Sequence, residues 1–341
     1  MSGASPVTPS NLTAASDRGA AWAPFRQGRF EDLPDLPRVP HPYFTASTED
    51  VELDSTAFGR MRVHLVVHGE GPPLLLVHGL MTSSYSWRYA LERLAERFRL
   101  FIPELPGCGK SDPVPDRPHS PAALASFLGE LQDLLGITGC AAVGNSLGGY
   151  LCLHRALDAP ESFSRLAVIH APGVPQLRLR ALHLALRLPG LARGLGWWVR
   201  RDPLRWAHRH VHYYDETLKS REEARVYGAP LSTRAGTRSF ARYLGDALDP
   251  RAMSRFAAEL ARRRDQGQSF PMPLMLVYAR EDPVVAPEIG PKLHALVPDA
   301  RFEWIQECSH FMHVDNPREV LPLLTDFLAD EQPAGRPRLQ G

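Results

Sequence analysis

From about residue 42 onward, the apolar positions of this 341-residue chain alternate between two spacings. "RMRVHLVVHGEG" (60–71) alternates apolar and polar side chains and ends in a glycine turn, as a strand does. "PPLLLVHG" (72–79) is apolar without interruption, the pattern of a strand covered on both faces. "SYSWRYALERLAERF" (84–98) switches to helical spacing at Trp87, Leu91, Leu94 and Phe98. "RLFIPEL" (99–105) is the next strand, and "PAALASFLGELQDLLG" (121–136) the next helix, capped by Ser120. "CAAVGN" (140–145), "SLGGYLCLHRALDAP" (146–160) and "SRLAVIHAP" (164–172) read as strand, helix and strand. Strands resume at "PLMLVYAR" (273–280) and "RFEWIQE" (301–307), with a helix between them and a last helix from about 317 to 330. This alternation predicts an α/β fold, a mostly parallel sheet with right-handed crossovers and helices on both faces.

Residues 172–268 break the alternation. No strand pattern occurs there, and the segment holds Trp197, Trp198 and Trp206. It is predicted as a helical cap over the carboxyl edge of the sheet, the edge where open α/β sheets bind ligands. Its first half, "LRLRALHLALRLPGLARGLGWWVRR", sets leucines beside Arg178, Arg180, Arg187, Arg193, Arg200 and Arg201. The expectation is that the leucines pack the cap onto its core while the arginines reach water. The rival expectation is a helix lying on a lipid interface. The organisation that follows is a flexible tail over 1–42, a core over 43–171 and 269–331, the cap over 172–268 and a tail over 332–341.

Composition narrows the field. There are 39 basic and 38 acidic residues, a net charge of +1, which gives no electrostatic case for nucleic acid. Many of the 32 prolines fall in the first 42 residues and in loops. The N-terminal stretch has neither the basic start nor the apolar block of a signal peptide, so the sequon Asn11-Leu12-Thr13 is expected to go unused. No run approaches the roughly 18 apolar residues of a membrane span, so no stable membrane insertion is expected. Cys108, Cys140, Cys152 and Cys308 form no C-x-x-C pair and read as buried free thiols. A cytoplasmic setting is the expectation.

The candidate chemistry centres on "AAVGNSLGGY" (141–150), where Gly144 and Gly148 flank Ser146 at G-x-S-x-G spacing. Small residues on both sides let the backbone turn sharply from strand to helix and lift the serine hydroxyl into the open. After the strand "LLLV", His78-Gly79-Leu80 can present the Leu80 backbone N–H, and Leu147 can present a second. Two such donors would make an oxyanion hole. Asp282, just past a strand, can orient a histidine, with Glu281 as the rival acid. His310 follows the last strand and can serve as base, with His313 as the rival. The order Ser146, Asp282, His310 is nucleophile, acid, histidine. His208-Arg209-His210-Val211-His212 has only Asp215 as a nearby acid, so structural roles are expected there rather than metal binding. No cofactor or metal is expected.

At this point the sequence resembles the α/β-hydrolase family over about residues 55–330. "LLLVHGLMTSSYSW" is similar to the family's third strand and oxyanion loop. "IPELPGCGKSD" resembles its D-L-P-G-x-G-x-S-D loop, with Glu104 where aspartate is usual. "VGNSLGG" resembles its elbow, "AREDPVV" its acid turn and "SHFMHVDNP" its histidine loop. The resemblance implies His310 rather than His313 as the base, because the family's histidine stands seven residues before a proline, here Pro317. Ser309 replaces the usual glycine. It further implies a catalytic triad of Ser146, Asp282 and His310. Dehalogenases and epoxide hydrolases of the family use an aspartate nucleophile, so a serine points to acyl-enzyme chemistry on a small-molecule ester. The alternatives are a carbon–carbon bond hydrolase of the ring-cleavage-product type and a hydrolase-fold binding or receptor protein.

Overall fold

A computed structural model describes residues 23–329 apart from Arg187 and Pro189. The Asn11 sequon, Trp22, Arg187 and the 332–341 tail lie outside the described residues.

Eight strands form one sheet in the order β1-β2-β4-β3-β5-β6-β7-β8. β1 (Ser47–Ser55) and β2 (Gly59–His68) are an antiparallel hairpin, and β2 also runs antiparallel to β4 (Arg99–Pro103). β3 (Pro73–Val77), β4, β5 (Cys140–Asn145), β6 (Phe163–Ile169), β7 (Leu274–Ala279) and β8 (Arg301–Ile305) are mutually parallel.

The uninterrupted apolar runs follow from burial on both faces. In β3, Leu75 and Val77 join one hydrophobic cluster while Leu74 and Leu76 join the other. β7 divides the same way, with Leu274, Leu276 and Tyr278 on one side and Met275, Val277 and Ala279 on the other. Helices α2 (Pro121–Leu135) and α3 (Leu147–Asp158) supply Leu124, Phe127, Tyr150 and Leu151 to the first cluster. α1 (Leu91–Ala95) and the C-terminal helix supply Leu91, Leu94, Leu324 and Phe327 to the second. The Ser120 hydroxyl caps α2 as expected, accepting from the Ala123 N–H, and Gly136 closes it in the left-handed region.

Between β6 and β7 the described residues contain helices only. α4 (Leu177–Leu186), α5 (Leu191–Arg201), α6 (Pro203–His210), α7 (Arg221–Gly228), α8 (Arg234–Arg242) and α9 (Pro250–Asp265) follow in turn. They meet the loops at the carboxyl ends of the strands. Leu80 and Met81 pack against Val199, Leu231 and Phe240, and the Tyr243 hydroxyl donates to the Pro106 carbonyl at 2.9 Å. Past β7 come α10 (Ile289–His294), α11 (Met312–Asp315) and α12 (Pro317–Ala329).

β1 was not expected, since only Leu53 and Ser55 in it are buried, and two further features differ from expectation. Residues 23–42, assigned to a flexible tail, lie along α6 and α7 as a strap. Gln27 Nε2 donates to the His208 carbonyl at 2.7 Å, and the Arg221 and Glu222 N–H groups donate to the Pro34 and Asp35 carbonyls at 2.8 and 3.0 Å. Arg38 pairs with Asp215 at 3.2 Å, and His41 reaches Glu222 at 2.9 Å. Val39 and Tyr43 anchor the strap in the core. Beneath it, buried Arg88 pairs with Glu223 of α7 at 2.9 Å, and the Tyr213 hydroxyl donates to the same carboxylate. The second difference is α4. Its leucines were expected to pack inward, yet it buries no residue, and α5 buries only Gly196 and Val199.

Candidate active site

β5 ends at Asn145, and α3 begins at Leu147. Between them Ser146 holds φ +53 and ψ −119, a conformation L-residues seldom adopt. Local packing enforces it. A β-carbon on Gly144 would stand 2.5 Å from the Gly149 Cα, and one on Gly148 would collide with the carbonyl of Val77. Only glycine lets α3 leave β5 this closely. The Ser146 N–H donates to the Ile169 carbonyl of β6 at 2.7 Å, which fixes the turn to the neighbouring strand. Asn145 and Leu147 are buried, whereas Ser146 is partly exposed.

The loop after β3 passes beside the serine. A β-carbon built on Gly79 would lie 3.2 Å from the Ser146 Cβ. His78 braces this loop, accepting the Leu105 N–H at Nε2 (3.0 Å) and donating from Nδ1 to the Gly79 carbonyl (2.8 Å). Burial pushes its pKa down to about 4, so the ring is neutral at physiological pH. Thr82 Oγ1 donates to the same carbonyl at 3.0 Å. Leu80 is partly buried beside it.

Asp282 and His310 meet. His310 Nδ1 lies 2.8 Å from Asp282 Oδ2, with both side chains buried. The other carboxylate oxygen, Oδ1, accepts the N–H groups of Val284 (2.6 Å) and Val285 (3.0 Å), so the turn itself orients the acid. Burial pushes the Asp282 carboxyl up, but His310 and His170 beside it outweigh that and hold it well below the usual carboxylate range. The rival histidine lies elsewhere. His313 is fully buried and stacks on Trp87 with ring centroids 4.3 Å apart, and burial pushes its pKa down to about 3.

His310 stands on a braced loop. Asn145 Nδ2 donates to its carbonyl at 3.1 Å. The Ser309 N–H and hydroxyl both bond Asp315 Oδ2, and Tyr214 N donates to Asp315 Oδ1 at 2.8 Å. Ser309, which stands where the resemblance has glycine, thereby ties the loop to the inserted segment.

Sequence reasoning missed His170, which it left inside a strand. It follows β6, holds φ +52, is fully buried and sets Nδ1 2.8 Å from Asp282 Oδ2. This contact is the looser of the two, since the nitrogen lies off the line of a straight hydrogen bond. Its ring faces that of His310 at 5.4 Å and Tyr278 edge-on at the same distance. The one available signal was a histidine ending an otherwise apolar strand. Ligand-capable atoms of His170, Asp282 and His310 lie within 4.8 Å, the one such metal-competent group among the described residues. The carboxylate is thus hydrogen-bonded to His310 and within ion-pair distance of His170, 2.8 Å in each case. The histidines near residue 210 go to separate partners. His208 Nε2 reaches the Gly28 carbonyl, His210 stacks on Trp206, and His212 approaches Glu216.

Comparison with known proteins agrees with the fold. A family model for the alpha/beta hydrolase fold matches residues 72–317. The 2-hydroxymuconate semialdehyde hydrolase of Pseudomonas putida is 28% identical over 278 residues, covering 79% of this chain and 91% of that protein. Among solved structures, a thermophilic esterase from Thermogutta terrifontis superposes with a TM-score of 0.65 at 21% identity, over 82% of this chain and 98% of that one. The epoxide hydrolase CorEH superposes with a TM-score of 0.66 at 20% identity, over 83% and 99%.

Proposed function

The chain belongs to the alpha/beta hydrolase family, and we propose that it is a serine hydrolase cleaving a carboxylic ester through an acyl-enzyme on Ser146. The observation that carries this reading is a strained, partly exposed Ser146 together with a buried Asp282–His310 pair whose loop is hydrogen-bonded to the residue before the serine.

The steps follow from the groups present. His310 Nε2 takes the Ser146 hydroxyl proton as Oγ attacks the ester carbonyl carbon. The carbonyl oxygen gathers the negative charge and receives the Leu80 and Leu147 N–H groups. His310 returns the proton to the departing alcohol, leaving an acyl group on Oγ. Water, deprotonated by His310, then attacks the acyl carbon, and the acid leaves as Oγ is reprotonated. Through both halves Asp282 accepts the Nδ1–H of His310 and stabilises the imidazolium. A serine in place of an aspartate disfavours the alkyl-enzyme route of epoxide hydrolysis.

The inserted helices act as a cap in this reading. A narrow cleft bounded by Leu80, Met81, Tyr227, Leu231, Phe240 and Tyr243 adjoins the loop that carries the Leu80 N–H, without reaching Ser146. Its apolar walls favour a small to medium apolar acyl or alcohol group. Each buried methylene contributes about 0.8 kcal/mol, so kcat/KM should rise about fourfold per acyl carbon until the cleft is full.

A second reading, carbon–carbon bond hydrolysis of a ring-cleavage product, is supported by the similarity to the Pseudomonas putida hydrolase. A panel of 4-nitrophenyl esters of graded acyl length, assayed beside a ring-cleavage dienone, separates the two. Turnover of esters with the dienone untouched supports the first reading, and the reverse supports the second. Inertness toward both would overturn the enzyme assignment and favour a binding protein.

A further inference from the structure

Helices α4 and α5 present to water the residues a soluble helix hides. Leu177 is 81% exposed, Leu184 69%, Leu188 60%, Trp197 55% and Trp198 52%. Exposed apolar side chains scattered singly are ordinary, but five of them in and between two consecutive helices, within 22 residues of sequence, point to an interaction surface. α4 is held from its other side, where His183 Nδ1 reaches the Gly245 carbonyl at 3.0 Å and Leu179 packs on the core. Leu177 and Leu184 stay largely exposed all the same.

The same stretch concentrates positive charge. From Ser162 to Arg201 the sequence contains no aspartate or glutamate, although the whole chain is almost neutral. Arg178, Arg180, Arg193 and Arg201 are exposed among the leucines and tryptophans. The Arg201 guanidinium lies 4.8 Å over the Trp197 ring, leaving both amphipathic side chains at the surface.

We propose that the α4–α5 face docks onto an anionic phospholipid bilayer. Leu177, Leu184, Leu188, Trp197 and Trp198 enter the headgroup–acyl boundary while the arginines pair with lipid phosphates. Apolar area together with basic charge is the combination that holds a helix in the plane of an interface. Tryptophan suits that depth because one end of its ring is apolar and the other donates a hydrogen bond. No described helix is long and apolar enough to cross a membrane, so the face lies on the bilayer rather than spanning it. A second copy is the poorer occupant, since a two-fold contact through this face would set arginine against arginine. The docking surface stands apart from the proposed ester chemistry and does not depend on it.

Flotation of the purified full-length protein with vesicles tests this. Phosphatidylcholine vesicles containing phosphatidylglycerol should carry the protein upward, pure phosphatidylcholine should carry far less, and added salt should release it. Binding should shift tryptophan emission to shorter wavelength, and the Trp197→Ser/Trp198→Ser variant should lose most of that shift. Removing one arginine should weaken binding about fivefold, and Arg178→Gln/Arg180→Gln/Arg193→Gln together about a hundredfold. Circular dichroism establishes that each variant is folded. Failure to float with anionic vesicles would overturn the proposal, as would unchanged binding by the folded arginine variant. A dimer in size-exclusion chromatography that Leu177→Ser/Leu184→Ser converts to monomer would also overturn it and give the face to a second copy.

Discussion

The Asn145 side chain, one residue before Ser146, donates from Nδ2 to the backbone carbonyl of His310 across 3.1 Å. The two residues are 165 positions apart in sequence, and this bond couples the elbow to the histidine loop directly. Asn145→Ala should lower kcat about tenfold while the protein stays folded, because the bond positions His310 without touching substrate. Asn145→Asp should cost more, since it sets a carboxylate against a carbonyl oxygen. Steady-state kinetics with a 4-nitrophenyl ester measures both, and an Asn145→Ala enzyme at wild-type rate would contradict the coupling.

Ser146→Ala should abolish ester turnover, with a loss on the order of 10⁴–10⁶ in kcat. A serine-directed phosphonate should label Ser146 alone. His310→Ala should match that loss. His313→Ala should instead lower the melting temperature, because it empties the buried stack on Trp87. Asp282→Asn should be severe and Glu281→Gln mild. Peptide mapping of the phosphonate adduct and the ranking of the four variants provide the check, and either reversed pair would show the wrong residue in the role.

His170 shares Asp282 Oδ2 with His310 and so competes for its charge. His170→Phe removes the competitor and keeps the ring. The imidazolium formed on His310 should then be better stabilised, and the acid limb of the kcat/KM profile should move to higher pH. A variant that loses activity with an unmoved acid limb would mark His170 as packing only.

Burial pushes the Asp315 carboxyl up to about 7, although bonds from Ser309 and from the Tyr214 and Asp215 backbone pull the other way. In the unfolded chain it titrates near 4. Between about pH 4 and 7 the folded state therefore holds a proton that the unfolded state has released, and stability contributed by this group falls as pH rises through that window. Asp282 acts oppositely. Its depressed value contributes stability above about pH 4 that is lost on acidification. Asp315→Asn should flatten the melting-temperature curve between about pH 4 and 7, as followed by thermal unfolding in a buffer series. A variant that still declines in step with the wild type would remove Asp315 as the cause.

The parallel centre of the sheet was legible because β3, β4, β5, β6 and β7 are short, largely apolar runs, whereas β1 was not, because it is polar and mostly exposed. That Ser146, Asp282 and His310 stand in turns after strands at one edge of the sheet was legible because each follows a strand that the pattern predicts. His170 was not, because a histidine after "AVI" looks the same whether it faces a carboxylate or only packs. The strap was hidden for a different reason. Its bonds to α6 and α7 mix backbone contacts at His208, Arg221 and Glu222 with single polar pairs such as Arg205–Glu31, Arg225–Asp35 and His41–Glu222, and neither kind leaves an apolar period in the sequence. α4 misled because leucine at helical spacing signals an apolar face without saying what the face meets.

The strap divides the inserted segment into two unequal halves. α6 and α7 are fastened twice, by the strap from outside and by the Arg88–Glu223 pair from beneath. α4 and α5 together bury one glycine and one valine. The inserted segment is therefore unevenly anchored, and its less buried half is the one that carries the leucines, tryptophans and arginines.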